Sequence, residues 1–169
     1  MNTIETNRLI IKEYTYEDIP KLHVILSNPK TMSFWPSPFT LEQTEVWINN
    51  NIKRYSELGF GRWAIILKET GELIGDCGIM LSELDGTQEH DLGYIIHYPY
   101  WHKGFAFEAA KACRSYAFNY LGIKRLCANM AFDHIASSAV AQKIGMVKEK
   151  KFYNSRNRNI LTYLYYISK

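Results

Sequence analysis

The apolar residues of this chain fall into two kinds of run, short stretches typical of strands and longer stretches with helical spacing. The short runs predict strands over 8–12, 62–67, 73–81, 91–97, 125–131, 146–152 and 160–167. The longer runs predict helices over 15–28, 40–59, 104–120 and 135–144. The polar segment 82–89 predicts a loop between two of the strands. In chain order, these elements favour one mixed sheet with helices on its faces, an α+β layer architecture.

Two of the predicted helices begin at capping signals. Thr15 is followed three residues later by Asp18, and Thr40 is followed by Gln43. In such a pair, each side chain can bond a backbone N–H that the first turn of the helix leaves without a partner. The helix starts are therefore predicted at Thr15 and Thr40.

Length and composition are those of one folded domain over residues 1–169. Hydrophobic residues make up 47% and charged residues 22% of the chain, which argues against disorder and against a coiled coil. The net charge of +3 is too small and too dispersed for a protein that binds nucleic acid. The apolar runs are also too short to cross a membrane, so neither nucleic acid nor a membrane is expected as a partner.

Cysteine and histidine usage adds two expectations. Cys77, Cys113 and Cys127 are odd in number and unclustered along the sequence, which is typical of reduced thiols in the cytosol. The first residues lack the basic and then apolar pattern of a secretory signal, so a cytoplasmic protein is expected. The five histidines show no compact ligand spacing, so no metal site is expected.

The most informative segment leads from the strand over 91–97 into the helix over 104–120. A helix start offers unpaired N–H groups and a partial positive charge, which suit a phosphate. Gly104 lets the backbone approach an anion closely, Ala106 adds no bulk, and His102 and Lys103 can add positive charge. The segment matches neither the Walker nor the Rossmann glycine pattern. A lone glycine at a helix start is also typical of a plain turn, so both interpretations remain open at this point.

The same segment, Trp101-His-Lys-Gly104-Phe-Ala106, resembles the R/Q-x-x-G-x-G/A signature of the GNAT superfamily of acetyl-CoA-dependent N-acetyltransferases. Its first position is Trp, as in the RimJ/RimL-like branch, the ribosomal-protein-alanine acetyltransferase type. Other pieces of that branch occur in the same order: Thr6-Asn-Arg8-Leu9, Trp47, Trp63-Ala-Ile65, Ile74-Gly75-x-x-Gly78, Asp91-Leu-Gly93-Tyr94, Ala136-Ser137 and Lys143-Ile-Gly145-Met146. The resemblance extends from about residue 5 to the C-terminus.

This resemblance implies a central twisted, mixed and mostly antiparallel sheet flanked by helices on both faces. It also implies acetyl-CoA as cosubstrate and direct transfer of its acetyl group to a primary amine, either a peptide or protein N-terminus or a small amine such as a polyamine. A monomer and a homodimer both remain open. The alternative is a non-catalytic, regulatory domain that binds acyl-CoA. The residues that the resemblance assigns to the cofactor are Tyr94, Ile95, Ile96, His102, Lys103, Gly104, Phe105, Ala106, His134 and Ser137.

Within that set, the resemblance suggests different roles. Segment 102–106 would hold the pyrophosphate. Backbone N–H groups of Tyr94, Ile95 and Ile96, on a splayed or bulged strand, would face the thioester carbonyl, and Gly93 would ease the distortion of that strand. Ser137 would hydrogen-bond the sulfur in an orienting or relay role.

The acceptor amine must lose a proton before it attacks. An α-amine with a pKa near 8 is roughly 10% neutral at pH 7, whereas a lysine-type amine is neutral at well under about 0.1%. A general base therefore matters more as the acceptor becomes more basic. Asp91 is the first candidate, acting through a water, and Glu89 is the second; a solvated carboxylate is the plain alternative for each.

Two residues depart from the family pattern. His134 stands where the family has Asn three residues before the helix serine, and it would cap the helix less well or hold the cofactor differently. Asp91 replaces the commoner Glu, which shortens the reach of the carboxylate by one methylene. The aromatic loop over 32–38 occupies the region that borders the acceptor pocket in this family.

Overall fold

One eight-stranded sheet organises the computed structural model, which describes residues 3–169. Its strands are β1 (Thr3–Glu5), β2 (Leu9–Lys12), β3 (Arg62–Leu67), β4 (Leu73–Leu84), β5 (Thr87–Ile96), β6 (Arg125–Ala131), β7 (Val147–Asn154) and β8 (Ile160–Ser168). They lie in the order β1-β2-β3-β4-β5-β6-β8-β7. Neighbouring strands are antiparallel except for β5 and β6, which are parallel. The expected mixed, mostly antiparallel sheet is confirmed.

Four α-helices cover the two faces of this sheet. They are α1 (Ile19–Leu26), α2 (Leu41–Leu58), α3 (Phe105–Asn119) and α4 (Ile135–Lys143). On one face, Leu22 of α1 and Ile48 of α2 share a buried cluster with Ile95 of β5. On the other face, α3 and α4 pack on a larger cluster that includes Leu92 and Ile96 of β5. No helix within residues 3–169 is long and apolar enough to cross a bilayer.

The predicted helix starts are confirmed by their capping contacts. The Thr15 amide donates to Asp18 Oδ2 over 2.9 Å, and a 3₁₀ turn over Tyr16–Asp18 precedes α1. The Thr40 amide donates to Gln43 Oε1 over 2.8 Å, and the Gln43 amide donates to Thr40 Oγ1 over 3.2 Å. Each pair satisfies backbone groups that the first turn leaves free.

The predicted loop over 82–89 is wrong, because β4 and β5 form a long hairpin through this segment. Only Asp85 and Gly86 lie between the strands, and both have positive φ angles, 50° and 77°. A two-residue hairpin turn of type I′ requires positive φ at both positions, and Asp-Gly is a typical sequence for it. The short strand β1 was also not predicted; its three residues pair with β2.

The two parallel strands separate near the middle of the sheet. β5 and β6 share a single registered pair, Asp91 with Cys127. Beyond it, residues 92–96 stay paired with β4, and residues 128–131 stay paired with β8. The sheet therefore contains a cleft between 92–96 and 128–131, which we call the splay.

The three cysteine thiols are free and buried. Although Cys77 and Cys113 are far apart in the sequence, the fold brings their Sγ atoms to 3.4 Å, joining β4 to α3. Among residues 3–169, no group of three or more histidine, cysteine or acidic side chains is arranged to hold a metal ion.

Candidate active site

Asp91 occupies the last paired position of β5 before the splay. Residues two apart on a strand share a face, so its side chain lies on the α1/α2 face together with that of Ile95. Asn129 Nδ2 of β6 donates to Asp91 Oδ2 over 3.1 Å. Burial raises the pKa of Asp91 to about 6, although the Arg62 charge and hydrogen bonds from Asn129 and Ser82 oppose this rise. Such a carboxylate is mostly ionised at pH 7 and can still accept a proton near neutrality.

Glu89 lies two residues earlier on β5 and is held by a guanidinium. Nε of Arg125 lies 3.2 Å from both carboxylate oxygens of Glu89. The same guanidinium bonds Glu149 over 2.7 Å and lies 4.4 Å from the ring centroid of Tyr166. Glu89 is therefore part of an ion-pair network on the side of Asp91 that faces the β4–β5 turn, away from the splay.

Two hydroxyls meet on the opposite face of the sheet. The Tyr94 hydroxyl of β5 donates to the Ser137 carbonyl of α4 over 2.8 Å, and Ser137 Oγ donates to the Tyr94 hydroxyl over 3.2 Å. Burial raises the pKa of Tyr94, so the phenol is neutral and remains a donor. Because Asp91 and Tyr94 are three residues apart on one strand, they lie on opposite faces of the sheet. A group passing through the splay would meet the carboxylate on one side and the hydroxyls on the other.

The backbone of β5 directs alternate amides into the splay. The His97 amide donates to the Ile74 carbonyl of β4 over 2.9 Å, and alternation along the ladder points the Ile95 amide the same way. The amides of Tyr94 and Ile96 therefore point away from β4. The Ile96 carbonyl, on that same side, accepts from Trp101 Nε1 over 2.7 Å. Of the three amides suggested by the resemblance, those of Tyr94 and Ile96 face the splay and that of Ile95 faces β4.

Gly93 does not ease a bulge in β5, since the β4–β5 register runs without a shift from Gly75–Ile96 to Leu84–Thr87. Instead, Gly93 makes room for a charged side chain. A Cβ atom at Gly93 would lie 1.6 Å from Nη1 of Arg62. Arg62 comes from β3, and its side chain crosses β4 at Gly78, which is in register with both Arg62 and Gly93.

The loop before α3 has a backbone conformation that is suited to binding an anion. His102 and Gly104 both have positive φ angles, 62° and 80°. The first helical bond runs from the Glu108 amide to the Gly104 carbonyl over 3.1 Å, so the amides over 104–107 have no carbonyl within the helix. His102, Lys103 and Gly104 are exposed, Ala106 is half-buried and Phe105 is buried. These free amides and the helix dipole favour a bound phosphate.

A second set of contacts fixes this loop on the sheet. Arg8 Nη1 donates to the Lys103 carbonyl over 2.9 Å, and Arg8 Nε pairs with Glu108 over 2.7 Å. The Arg8 guanidinium also lies 4.4 Å from the centroid of the Phe105 ring. The residues that resemble the family's opening segment therefore support the loop before α3.

The loop between α1 and α2 spans the open end of the splay. Just beyond β5, Thr31 Oγ1 lies 3.0 Å from His97 Nδ1. Just beyond β6, Phe34 stacks on His134 with ring centroids 3.7 Å apart and planes 7° apart. Asn157 Nδ2, between β7 and β8, donates to the Phe34 carbonyl over 2.8 Å. Loop residues 31–34 therefore border the α1/α2 side of the splay, the side on which Asp91 lies.

His134 occupies the N-cap position of α4 without a capping bond from its side chain. Burial lowers the pKa of His134 to about 4, so the ring is neutral at pH 7. Its contact with Phe34 places it beside loop residues 31–34. It adds no positive charge for a phosphate.

The family model described as an acetyltransferase (GNAT) domain matches residues 8–147. This chain belongs to the GNAT acetyltransferase family. Its relatives include the uncharacterized N-acetyltransferase YnaD of Bacillus subtilis, which is 30% identical over 150 residues, covering 88% of this chain and 85% of YnaD.

Solved structures support the same GNAT assignment. A GNAT-family acetyltransferase from Bacillus anthracis superposes with a TM-score of 0.82 at 26% identity, covering 99% of this chain and 98% of that one. RimL, a ribosomal L7/L12 α-N-protein acetyltransferase solved in complex with coenzyme A, superposes with a TM-score of 0.83 at 17% identity. That match covers 99% of this chain and 98% of RimL. At that identity, the likeness to RimL shows a shared fold.

Three features of this candidate site were not predicted from the sequence. They are the Arg62 guanidinium, the Asn129 bond to Asp91, and the hydroxyl of Tyr94, a residue to which the resemblance gave a role only through its backbone amide. One signal was available for Arg62. It begins an otherwise apolar strand, Arg62–Leu67, and the returning strand carries a lone carboxylate, Asp76, between apolar residues. A charge of each sign on two adjacent buried strands indicates a buried ion pair.

Proposed function

We propose that this GNAT domain, as a single domain over 1–169, transfers the acetyl group of acetyl-CoA directly to a primary amine. The acceptor is a peptide or protein N-terminus or a small-molecule amine. One observation carries the proposal: the splay has an ionisable carboxylate on one face and a hydroxyl pair on the other, and β5 leads from it to an anion-binding helix start. RimL, which shares the fold, acts on a protein α-amine and was solved with coenzyme A.

The cofactor role rests on backbone groups. The free amides at the start of α3 would hold the pyrophosphate, with His102 and Lys103 at the rim. The amides of Tyr94 and Ile96 would donate to the thioester carbonyl, where negative charge builds during attack. Ser137 Oγ would turn its proton from the Tyr94 hydroxyl to the sulfur on the α3/α4 face, while Tyr94 keeps its bond to the Ser137 carbonyl.

The acceptor nitrogen loses two protons during the reaction. Asp91 takes the first, directly or through a water, and the neutral amine can then attack. The nitrogen forms a bond to the acetyl carbon, the carbon–sulfur bond breaks, coenzyme A leaves as a thiolate, and the second nitrogen proton passes to that thiolate. A thiolate with a pKa near 8.5 leaves without strong acid catalysis, so neutral hydroxyl donors suffice.

All residues of the proposed site belong to one chain, so the proposal is compatible with a monomer or a homodimer. We also propose a cytoplasmic location, on the basis of the three free cysteine thiols.

A panel of acceptors tests the proposed function. Peptides with free N-termini, polyamines and other small amines are incubated with acetyl-CoA, and both thiol release and acetylated product are measured. We expect at least one class of primary amine to be acetylated above the rate without enzyme. Binding of acetyl-CoA without acetylation of any amine would instead support the non-catalytic domain.

Acetyl-CoA is expected to stabilise the fold by about 2.7 kcal/mol at one hundred times its dissociation constant. For a chain of this size, that corresponds to a rise in melting temperature of roughly 5–10 °C. Gly104→Val is expected to abolish most of this rise. Its branched side chain would crowd the pyrophosphate, and valine strongly disfavours the φ of 80° found there. Thermal unfolding with and without acetyl-CoA measures the effect.

Gly122→Val is the matched control for this variant. Gly122 follows the C-terminal end of the same helix, has a φ of 67°, and has open space where a Cβ would be. Both variants should therefore lose stability through similar backbone strain, while Gly122→Val keeps the response to acetyl-CoA. A wild-type response in Gly104→Val would remove the loop from the cofactor site.

A further inference from the structure

A buried ion pair lies beside Asp91 on the α1/α2 face. Arg62 and Asp76 form it, with side chains only 4% and 0% exposed. The Asp76 carboxylate also accepts from the Tyr14 hydroxyl over 2.6 Å and from Trp47 Nε1 over 3.0 Å. Because three donors converge on Asp76, the pair is held in one geometry between the sheet and α2.

The geometry directs the guanidinium toward the proposed base. Nη1 of Arg62 fills the space where a Cβ of Gly93 would stand. Gly93 and Asp91 are two residues apart on β5, so they share a face of the sheet. The Arg62 guanidinium is therefore nearer to Asp91 than the Asp76 carboxylate is, because Asp76 lies on β4.

Stability alone gives a weak reason for such a pair. Replacing a buried ion pair by well-packed apolar residues is often neutral or stabilising. Here two glycines, Gly78 and Gly93, lie along the path of the Arg62 side chain. The fold therefore leaves room for the guanidinium to extend across the sheet as far as β5.

We propose that Arg62 is a positioning residue for the acetyl-transfer base, whose fixed guanidinium beside Gly93 stabilises the ionised form of Asp91. The inference rests on the proposed function of Asp91. Other groups face this carboxylate from the neighbouring strands: Ser82 on β4 and Asn129 on β6. Glu89 lies two residues before Asp91 on β5, and its charge is paired with that of Arg125.

The test is a carbon-13 NMR titration of the Asp91 carboxyl in the protein without substrates. The wild-type group is expected to titrate near pH 6. In the double variant Arg62→Met/Asp76→Asn, which removes both charges of the ion pair, Asp91 should titrate higher by roughly one pH unit, because the positive charge nearer to it is gone. In Asp76→Asn, the guanidinium loses its counter-charge, so Asp91 should titrate lower than in the wild type.

Lys150→Met is the control, since it removes the positive charge of the exposed Lys150–Asp85 pair at the far end of the β4–β5 hairpin. The Asp91 titration should not move in this variant. The pH at which kcat/KM rises should follow the NMR titration in each of the other two variants. An unmoved Asp91 titration in both of those variants would overturn the role of Arg62. Absence of acetyl transfer by the wild-type protein would overturn the proposed function instead, because the titration needs no activity.

Discussion

Replacing Asp91 by Asn is expected to lower turnover about 10²–10⁴-fold for a strongly basic acceptor amine, the usual range for loss of a general base. Asparagine keeps the size of the side chain and can keep a hydrogen bond to Asn129. Affinity for acetyl-CoA should therefore change little. The loss should be smaller for an α-amine, because more of that amine is already neutral at pH 7. Turnover with acceptors of different pKa measures this difference.

The pH dependence has a definite sign. With a pKa of about 6, Asp91 is protonated in acid, so the wild-type rate should fall as the pH drops through 6. In Asp91→Asn, this fall in rate near pH 6 should disappear, and only the pH dependence caused by titration of the amine should remain. Glu89→Gln is the matched control, since it removes the rival carboxylate and should cost far less turnover. Equal losses across amines in Asp91→Asn would point to positioning and not to proton transfer.

Gly93→Ala is expected to destabilise the fold by about 3–5 kcal/mol, the cost of breaking a buried ion pair. The added Cβ would lie 1.6 Å from Nη1 and 2.7 Å from Cζ of Arg62, so the guanidinium must leave its place. Its displacement would uncouple Asp76, a carboxylate that is fully buried. Urea unfolding monitored by circular dichroism measures the loss, read from the midpoint at an unchanged slope.

Gly71→Ala provides the comparison for this variant. Gly71 lies in an exposed turn with a φ of 73° and open space for a Cβ, so only backbone strain of about 1–2 kcal/mol is expected. If Gly93→Ala were no more destabilising than Gly71→Ala, the guanidinium would not need the space that this glycine leaves.

Local signals in the sequence predicted most of the fold. The capping pairs at Thr15 and Thr40 act over three residues, so the sequence shows them directly. The segment 82–89 was mistaken for a loop because its polar residues outweighed the Asp85-Gly86 turn signal. The hairpin continues there with polar residues because this end of it is largely exposed.

The candidate site divides in the same way. The turn and helix start at Gly104 could be predicted, because they are local features, whereas the cofactor role proposed for this loop came from the resemblance to the GNAT family. The contact of Tyr94 with Ser137 joins residues 43 positions apart, and the contact of Phe34 with Asn157 joins residues 123 positions apart. Such contacts follow from strand order and register, which no short segment encodes. The position of the Arg62 guanidinium likewise depends on three strands being in register.

A crystal structure with a bisubstrate analogue is the most direct test of the account. The analogue joins the sulfur of coenzyme A through an acetyl linker to the nitrogen of the best acceptor from the panel. We predict that its pyrophosphate binds the amides over 104–106 and that the linker passes through the splay. The nitrogen should lie on the Asp91 side, within one water of the carboxylate, and the sulfur on the Tyr94 and Ser137 side. A linker bound outside the splay, or a nitrogen on the side away from Asp91, would contradict the account.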